Sequence, residues 1–162
     1  MVKKRTVSVR SRRKTTRAAR TPGRPSASPP SVANLARALA ALAHGLPNPA
    51  DESTDYFRQF VAPLPAATAL DPSALKSALR IGDRYRLDLS SADSFFSGAS
   101  DPQNWGEYAS GFRQLEEVMH ATLTDVSTAF ARATSVVRVR MWLFGRSRDG
   151  WLVGLRSIVT ET

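Results

Sequence analysis

The stretch from Val136 to Thr162, VVRVRMWLFGRSRDGWLVGLRSIVTET, decides the fold. Over its first nine positions a wholly apolar set, every second residue from Val137 to Leu143, alternates with a set that mixes arginine with apolar residues, which is the period of a half-buried β-strand. Gly145 to Gly150 supplies turn residues, and Trp151 to Val159 has the composition of a second strand, with Gly154 as a candidate β-bulge. The stretch therefore predicts a β-hairpin. One face of its first strand is predicted to lie on a core, through Val137, Val139, Met141 and Leu143.

The opposite face of the same strand mixes arginine with Trp142 and Phe144. Large aromatic residues rarely stay in water, whereas an arginine can cover apolar surface with its aliphatic stem. We therefore expect this face to lie under arginine stems or under a second layer of helix.

Three helices are predicted upstream of the hairpin. The first runs from Ser31 to His44, and the second follows Asp71 as N-cap and Pro72, continuing to about Arg80. The third is long and amphipathic, from Glu107 to about Thr124. Its apolar residues at helical spacing are Tyr108, Phe112, Leu115, Met119 and Leu123.

Short strands are predicted at residues 56–61, 85–89 and 126–131, although the last segment also fits the end of the long helix. Ser90 to Asn104 is predicted to be irregular, with a single turn at Asp93 to Phe96. Strands joined by hairpins and helices favour a mostly antiparallel sheet with helices on its faces. The expected fold is therefore a layered α-β-α sandwich of the α/β (α+β) class.

Charge divides the chain into two parts. Residues 1–31 contain ten Lys or Arg and no acid, which leaves 13 basic and 14 acidic residues in 32–162. The first part has almost no large apolar residue, so it cannot offset its ordering entropy by burial. We expect a disordered basic tail, 1–31, followed by one near-neutral domain, 32–162.

Three motifs follow one another in order from Asp88 to the C-terminus. They are DLSSADSFF from Asp88, ASDPQNW from Ala99, and the hairpin that closes with Thr160-Glu161-Thr162 after Gly154-Leu155-Arg156-Ser157. In this order the sequence resembles the nuclease A inhibitor (NuiA-like) family over about residues 35–162, and best from 88 onward. These small bacterial proteins bind and block a sugar-non-specific, metal-dependent DNA/RNA endonuclease.

The resemblance implies three groups of nuclease-binding residues. Thr162, with Glu161 beside it as a rim charge, and Glu52 of the loop after the first helix would approach the Mg²⁺ of the nuclease through its waters; Asp55 is the second choice in that loop. The third group is Asn104-Trp105, where the family has Asp-Trp. Trp105 would be an aromatic anchor, or alternatively a lid over the core. Asn104 removes a charge from this surface.

The sequence gives no sign of an enzyme. It lacks a nucleophile elbow, a P-loop, a Rossmann glycine fingerprint and a His-Glu-x-x-His motif, and it contains no cysteine and only two histidines. Asp51, Glu52 and Asp55 could form a carboxylate cluster, but in a Pro-rich loop a solvated or capping role is the default. We expect no cofactor and no metal ion of its own.

The main alternative is a nucleic-acid-associated protein that uses its basic tail to neutralise phosphates. The tail residues selected for this role are Lys3, Lys4, Arg5, Arg12, Arg13 and Lys14. A contiguous arginine stripe on the domain, extended by the hairpin arginines, would favour this alternative. An acidic patch around Glu52 and the C-terminus would favour the inhibitor.

A third possibility is a structural relative of the inhibitors that binds some other partner. With any of these functions, the absence of a long apolar segment and of cysteine favours a cytoplasmic protein without membrane contact. The apolar run Leu35 to Ala43 after basic residues also allows a secretion signal, although Arg37 interrupts it. We expect a monomer before complex formation.

Overall fold

A computed structural model describes residues 28–50, 56–134 and 136–160 of this chain. Its elements, in chain order, are α1 (Pro30–Leu42), β1 (Arg58–Pro63), α2 (Pro72–Leu79), β2 (Arg86–Ser91), α3 (Asp93–Ala99), α4 (Pro102–Trp105), α5 (Tyr108–Thr122), β3 (Thr124–Ala133), β4 (Val136–Arg146) and β5 (Trp151–Thr160). The hairpin, the long helix and the strand at 126–131 are all confirmed.

The five strands form one antiparallel sheet in the order β1-β5-β4-β3-β2. The hairpin β4–β5 therefore occupies the interior of the sheet, and the first two strands of the chain form its edges. Arg58 at the start of β1 pairs with Arg156, so β1 lies beside the strand that comes last in the chain. This arrangement explains why both hairpin strands are rich in apolar residues on both faces.

A hydrophobic core lies on each face of the sheet. On one face α1, α3 and α5 cover the strands, with Leu39, Phe96 and Phe112 fully buried against Met141 and Leu155. On the other face α2 buries Leu75 against a second cluster that contains Trp142, Phe144 and Leu152. The protein is therefore an α-β-α sandwich, as predicted, and the second helix layer over Trp142 and Phe144 is present.

The α2 layer covers only part of its face. Asp71 caps α2 by accepting a hydrogen bond from the backbone N–H of Ala74 at 2.9 Å, and the helix ends after eight residues at Arg80. Eight helical residues span about 12 Å, whereas the eleven residues of β4 span about 36 Å. None of the helices in residues 28–50, 56–134 and 136–160 therefore covers the end of this face that carries Arg138 and Arg140, and a cleft remains there.

Three local predictions are wrong. Val137 is 56% exposed rather than buried with Val139, Met141 and Leu143, because it lies at the start of β4, beyond the main core. Gly154 is not a bulge, since β4 and β5 pair without a register shift; the shifts lie in β3, between Thr124 and Ser127 and between Ala131 and Ala133. The segment predicted to be irregular contains α3 and α4.

The turn of the hairpin is shorter than predicted. It comprises Ser147 to Gly150, with the N–H of Ser147 donating to the carbonyl of Trp151 at 2.8 Å and Gly150 at φ +77°. Gly145 and Arg146 belong to β4. Arg146 is buried and donates to the carbonyls of Ala66 and Thr68, each at 2.7 Å. It therefore holds the loop between β1 and α2 and is not a surface charge.

Residues 1–27 lie outside the described part of the chain, so the predicted disordered tail is not addressed. The first helix begins at Pro30, one residue earlier than predicted and inside the segment assigned to the tail. Within residues 28–50, 56–134 and 136–160, no helix has the length and apolar character required to cross a bilayer.

Candidate functional sites

The first candidate site is a groove on the α1/α3/α5 face, which we call the tryptophan groove. It has a volume of about 490 Å³. Asn104 and Trp105 of α4 line it, together with Phe95 and the pair Pro49-Ala50. Asn104 is exposed and Trp105 is half-buried. The groove therefore brings the predicted Asn-Trp pair next to the residues that precede the acidic segment 51–55.

A chain of edge-to-face aromatic contacts connects Trp105 to the other side of the same segment. The ring centroids of Trp105 and Phe112 are 6.2 Å apart, and Phe112 lies 6.2 Å from Phe95. Phe95 in turn lies 6.5 Å from Phe57, which follows the segment. Ala50 lines the groove together with Phe95 and Trp105, and Phe57 contacts Phe95, so both flanks of the acidic segment lie near Phe95.

Asp101 adds a carboxylate at this site that was not predicted from sequence. One of its oxygens caps α4 by accepting from the N–H of Gln103, and the other accepts from Nδ2 of Asn104, both at 2.9 Å. The charge that Asn104 lacks is therefore present three residues earlier. Asp101-Pro102 is an N-cap signature, and recognising it would have identified both α4 and this carboxylate.

Most predicted site residues lie outside the described part of the chain. These are Glu52 and Asp55 with the neighbouring Asp51, the terminal pair Glu161 and Thr162, and all six tail residues Lys3, Lys4, Arg5, Arg12, Arg13 and Lys14. The described residue closest to the C-terminus is Thr160, which pairs with Arg138 of β4. The strand that follows the acidic segment is β1. Its first residue lies directly opposite Arg156, in the C-terminal half of β5.

The second candidate site is the uncovered part of the α2 face, which we call the arginine cleft. It has a volume of about 790 Å³, and its lining contains no Asp or Glu among the described residues. Tyr56 lies in the lining and is 62% exposed. Five arginines line the cleft: Arg58, Arg80, Arg138, Arg140 and Arg156.

Cross-strand register explains how these arginines meet. Arg138 and Arg140 lie on the same face of β4 as Trp142, and Arg156 is directly opposite Trp142 on β5. Arg58 is directly opposite Arg156 on β1, and Arg80 is at the end of α2. The hairpin arginines were identified from sequence, but Arg58 and Arg80 were not, since only long-range pairing places them in the cleft.

The two remaining hairpin arginines do not belong to this cleft. Arg146 is buried at the far end of β4, where its guanidinium holds carbonyls of the β1–α2 loop. Arg148 lies in the β4–β5 turn and is exposed. The five arginines of the hairpin are thus divided into one cluster of three in the cleft and two separate residues.

A second cross-strand arginine pair, elsewhere in the sheet, is neutralised by a carboxylate. Arg86 and Arg132 are directly opposite on β2 and β3, and Asp88 bridges them, with 3.1 Å to Nε of Arg86 and 2.6 Å to Nη1 of Arg132. Burial raises the pKa of Asp88, but the hydrogen bonds from Arg132 and Arg86 outweigh this effect, so the pKa lies below its ordinary value of 3.8. Asp88 therefore stays ionised and neutralises the pair.

Neither protein-family models nor curated proteins give a match to this chain. Among the described residues, no three His, Cys, Asp or Glu side chains come together as they would to hold a metal ion.

Proposed function

We propose that this protein is an inhibitor that binds and blocks the active site of a sugar-non-specific, metal-dependent DNA/RNA endonuclease. The observation that carries the proposal is that Ala50 lines the tryptophan groove with Trp105, while Phe57 contacts Phe95 of the same groove, so both flanks of the acidic segment 51–55 lie near this groove. These are two of the three regions that the resemblance to nuclease A inhibitors implies for binding. The third, Glu161-Thr162, follows a strand of the sheet interior.

The chemistry of such a target suits these residue types. A non-specific nuclease binds phosphate through a divalent ion and basic side chains, so carboxylates and hydroxyls on a rigid frame compete with its substrate. Pre-organisation lowers the ordering cost of binding. The aromatic contacts of Trp105 and the hydrogen bonds of Asp101 fix the tryptophan groove in this way. In this proposal Glu52 and Thr162 approach the nuclease Mg²⁺ through its waters, with Asp55 and Glu161 as neighbouring charges.

The test is a titration of the full chain into a non-specific Mg²⁺ nuclease encoded by the same genome, at fixed metal and salt. We expect an end point near one inhibitor per nuclease that does not move when the DNA concentration is raised. An end point that follows the DNA concentration, or that disappears with added salt, would mean that the protein masks the substrate, and the proposal would fail.

Variants test the proposed contacts. Trp105→Ala should weaken inhibition about 30-fold, as expected for an aromatic hot spot, while Trp105→Phe, which keeps a ring against Phe112, should weaken it less. Glu52→Gln should weaken inhibition without unfolding the domain. Three residues added after Thr162 should abolish inhibition, and the same three residues added before Met1 serve as the control. Full inhibition by the C-terminally extended protein would exclude the terminal contact.

A second candidate function is association with nucleic acid. Its sequence support, the basic tail, lies outside the described residues. The contiguous arginine cleft on the folded domain favours this function independently, and the cleft is on the sheet face opposite the tryptophan groove. The cleft is thus separate from the tryptophan groove, but it is lined by Tyr56, which follows the acidic segment, and by Arg138, which pairs with Thr160.

A further inference from the structure

We propose that the arginine cleft binds the phosphate backbone of single-stranded nucleic acid, with Tyr56 stacking on a base. This site lies in the folded domain, apart from the tail, and it does not depend on the inhibitor proposal. The argument rests on the cross-strand pair Arg58 and Arg156, on the backbone of Arg80, and on the exposed ring of Tyr56.

Among the described residues, the pair Arg58 and Arg156 has no carboxylate equivalent to the one that neutralises its counterpart in the same sheet. Like charges directly opposite each other on neighbouring strands are destabilising. Asp88 neutralises the pair Arg86 and Arg132, but no described carboxylate forms an ion pair with Arg58 or Arg156. An external anion between their two guanidinium groups would supply the missing charge, and phosphate matches the planar donor fork of arginine.

Arg80 occupies a backbone conformation that favours glycine. It ends α2 with φ 54° and ψ 48°, in the left-handed region. Glycine is the usual residue at such a helix end, since a side chain there carries a steric cost. Helix termination alone does not require an arginine at this position. Its side chain adds a fifth guanidinium to the cleft wall, which gives the residue a role besides ending the helix.

Aromatic and cationic groups in the cleft fit a single strand. Tyr56 exposes 62% of its surface at the rim, and stacking on an aromatic ring binds any unpaired base. The guanidinium carbon of Arg140 lies 5.2 Å from the centroid of the buried Tyr85 ring, which limits its freedom before binding. Cations along the floor of the cleft can bind the phosphates of one strand, and the exposed ring at its rim can stack on an unpaired base. The bases of a duplex are already stacked on each other, so they are not available to this ring.

The test measures binding of a fluorescein-labelled oligothymidylate of about 12 nucleotides to the full chain by anisotropy, at several salt concentrations. Arg58→Thr/Arg156→Thr should lower affinity about tenfold for each arginine and reduce the salt slope by about 0.7 for each lost phosphate contact. Its thermal midpoint should stay the same or rise, because the repulsion is removed and threonine suits a strand. The matched control is Arg37→Gln/Arg113→Gln, which removes two exposed charges from the helices on the other face and should leave affinity within about twofold.

Two further variants separate the components of the site. Arg80→Gly should lower affinity about tenfold without lowering the thermal midpoint, since glycine relieves the left-handed strain. Tyr56→Ser should weaken oligothymidylate binding about tenfold but leave competition by inorganic tripolyphosphate unchanged, because only the nucleotide has a base to stack.

The contribution of the tail is measured with a full chain in which Lys3, Lys4, Arg5, Arg12, Arg13 and Lys14 are replaced by Gln. We expect this change to lower every affinity while preserving the ratio between parent and cleft variants. The proposal is overturned if the cleft variants bind as the parent does, or if the Arg37/Arg113 control loses as much. It is also overturned if duplex DNA binds as tightly as the single strand and Tyr56→Ser has no effect. A poly-glutamate peptide that displaces the labelled strand better than unlabelled oligothymidylate does would overturn it as well, and would identify an acidic protein as the occupant.

Discussion

Gly154 shows how one residue without a side chain fixes the interior of the sheet. It pairs with Phe60 on β1 and with Phe144 on β4, and those two rings meet edge to face with centroids 6.4 Å apart. A Cβ at Gly154 would lie 2.2 Å from the carbonyl oxygen of Leu143 and 2.6 Å from Cα of Phe144. The glycine therefore permits the close approach of β4 and β5 under the two rings.

Gly154→Ala should destabilise the protein by about 2 kcal/mol or more, because a backbone atom rather than a flexible side chain must move. Chemical denaturation measures the free energy of unfolding. Gly98→Ala is the matched control: its Cβ would meet nothing within 4 Å in α3, and alanine favours a helix. Equal stability of the two variants would show that the sheet adjusts at Gly154 without cost.

Asp88 makes stability depend on acidity. Its pKa is below 3.8 in the folded protein, so its stabilising contribution is fully present above about pH 3.8 and is lost as pH falls through the lowered pKa. Asp88→Asn removes the ion pairs with Arg86 and Arg132. We expect this variant to be less stable than the parent at pH 6 and the difference to shrink below pH 3.8, as measured by thermal unfolding at both pH values. A difference that is the same at pH 6 and pH 3 would contradict the role of the charge.

At the scale of elements, the loop between β1 and α2 is held by a strand that follows it by many residues. Arg146 of β4 donates to Ala66 and Thr68, and the N–H of Leu64 donates to the carbonyl of Gly150 at 3.0 Å. The loop thus takes its shape from the end of the hairpin and has no regular structure of its own.

Arg146→Met should cost about 2 kcal/mol, because it leaves two loop carbonyls without their donor. Hydrogen exchange should increase in residues 64–70 before it increases in the strands. Arg148→Met, two residues along in the exposed turn, is the control and should change the free energy of unfolding by less than about 0.5 kcal/mol. If the two variants unfold alike, the guanidinium contacts do not stabilise the loop.

Prediction from sequence succeeded where an element carries its own period and failed where tertiary contacts decide. The alternation in β4 and β5 and the helical spacing in α5 identified those elements. In the segment Ser90 to Asn104, short helices are stabilised by burial of Phe96 and by the Asp101 cap, and neither produces a long period. The prediction that Val137 is buried was wrong for a related reason. Alternation shows which face of a strand a residue lies on, but not how far along the strand the core extends.

At the scale of the whole molecule, the fold class followed from the sequence, but the distribution of charge did not. Residues 32–162 carry nearly equal numbers of basic and acidic residues, which suggested a neutral domain. The sheet nonetheless gathers five arginines into one cleft, because β1 pairs with β5 and α2 stops short. The candidate sites were predicted only in part for the same reason: Asn104-Trp105 is a local motif, whereas Arg58 and Arg80 enter the cleft through pairings that a linear pattern does not contain.

The order of the strands also bears on how a growing chain acquires this structure. β1 has β5 as its neighbour, and α1 packs on β1 and β5. Until the residues of β5 have left the ribosome, α1 keeps an apolar stripe and β1 an unpaired edge without their final partners. Such non-local pairing slows folding and exposes the nascent chain to aggregation. β5, the last of the described strands in chain order, is thus the one that α1 and β1 both require, so this side of the sheet can be completed only after most of the described chain has been made.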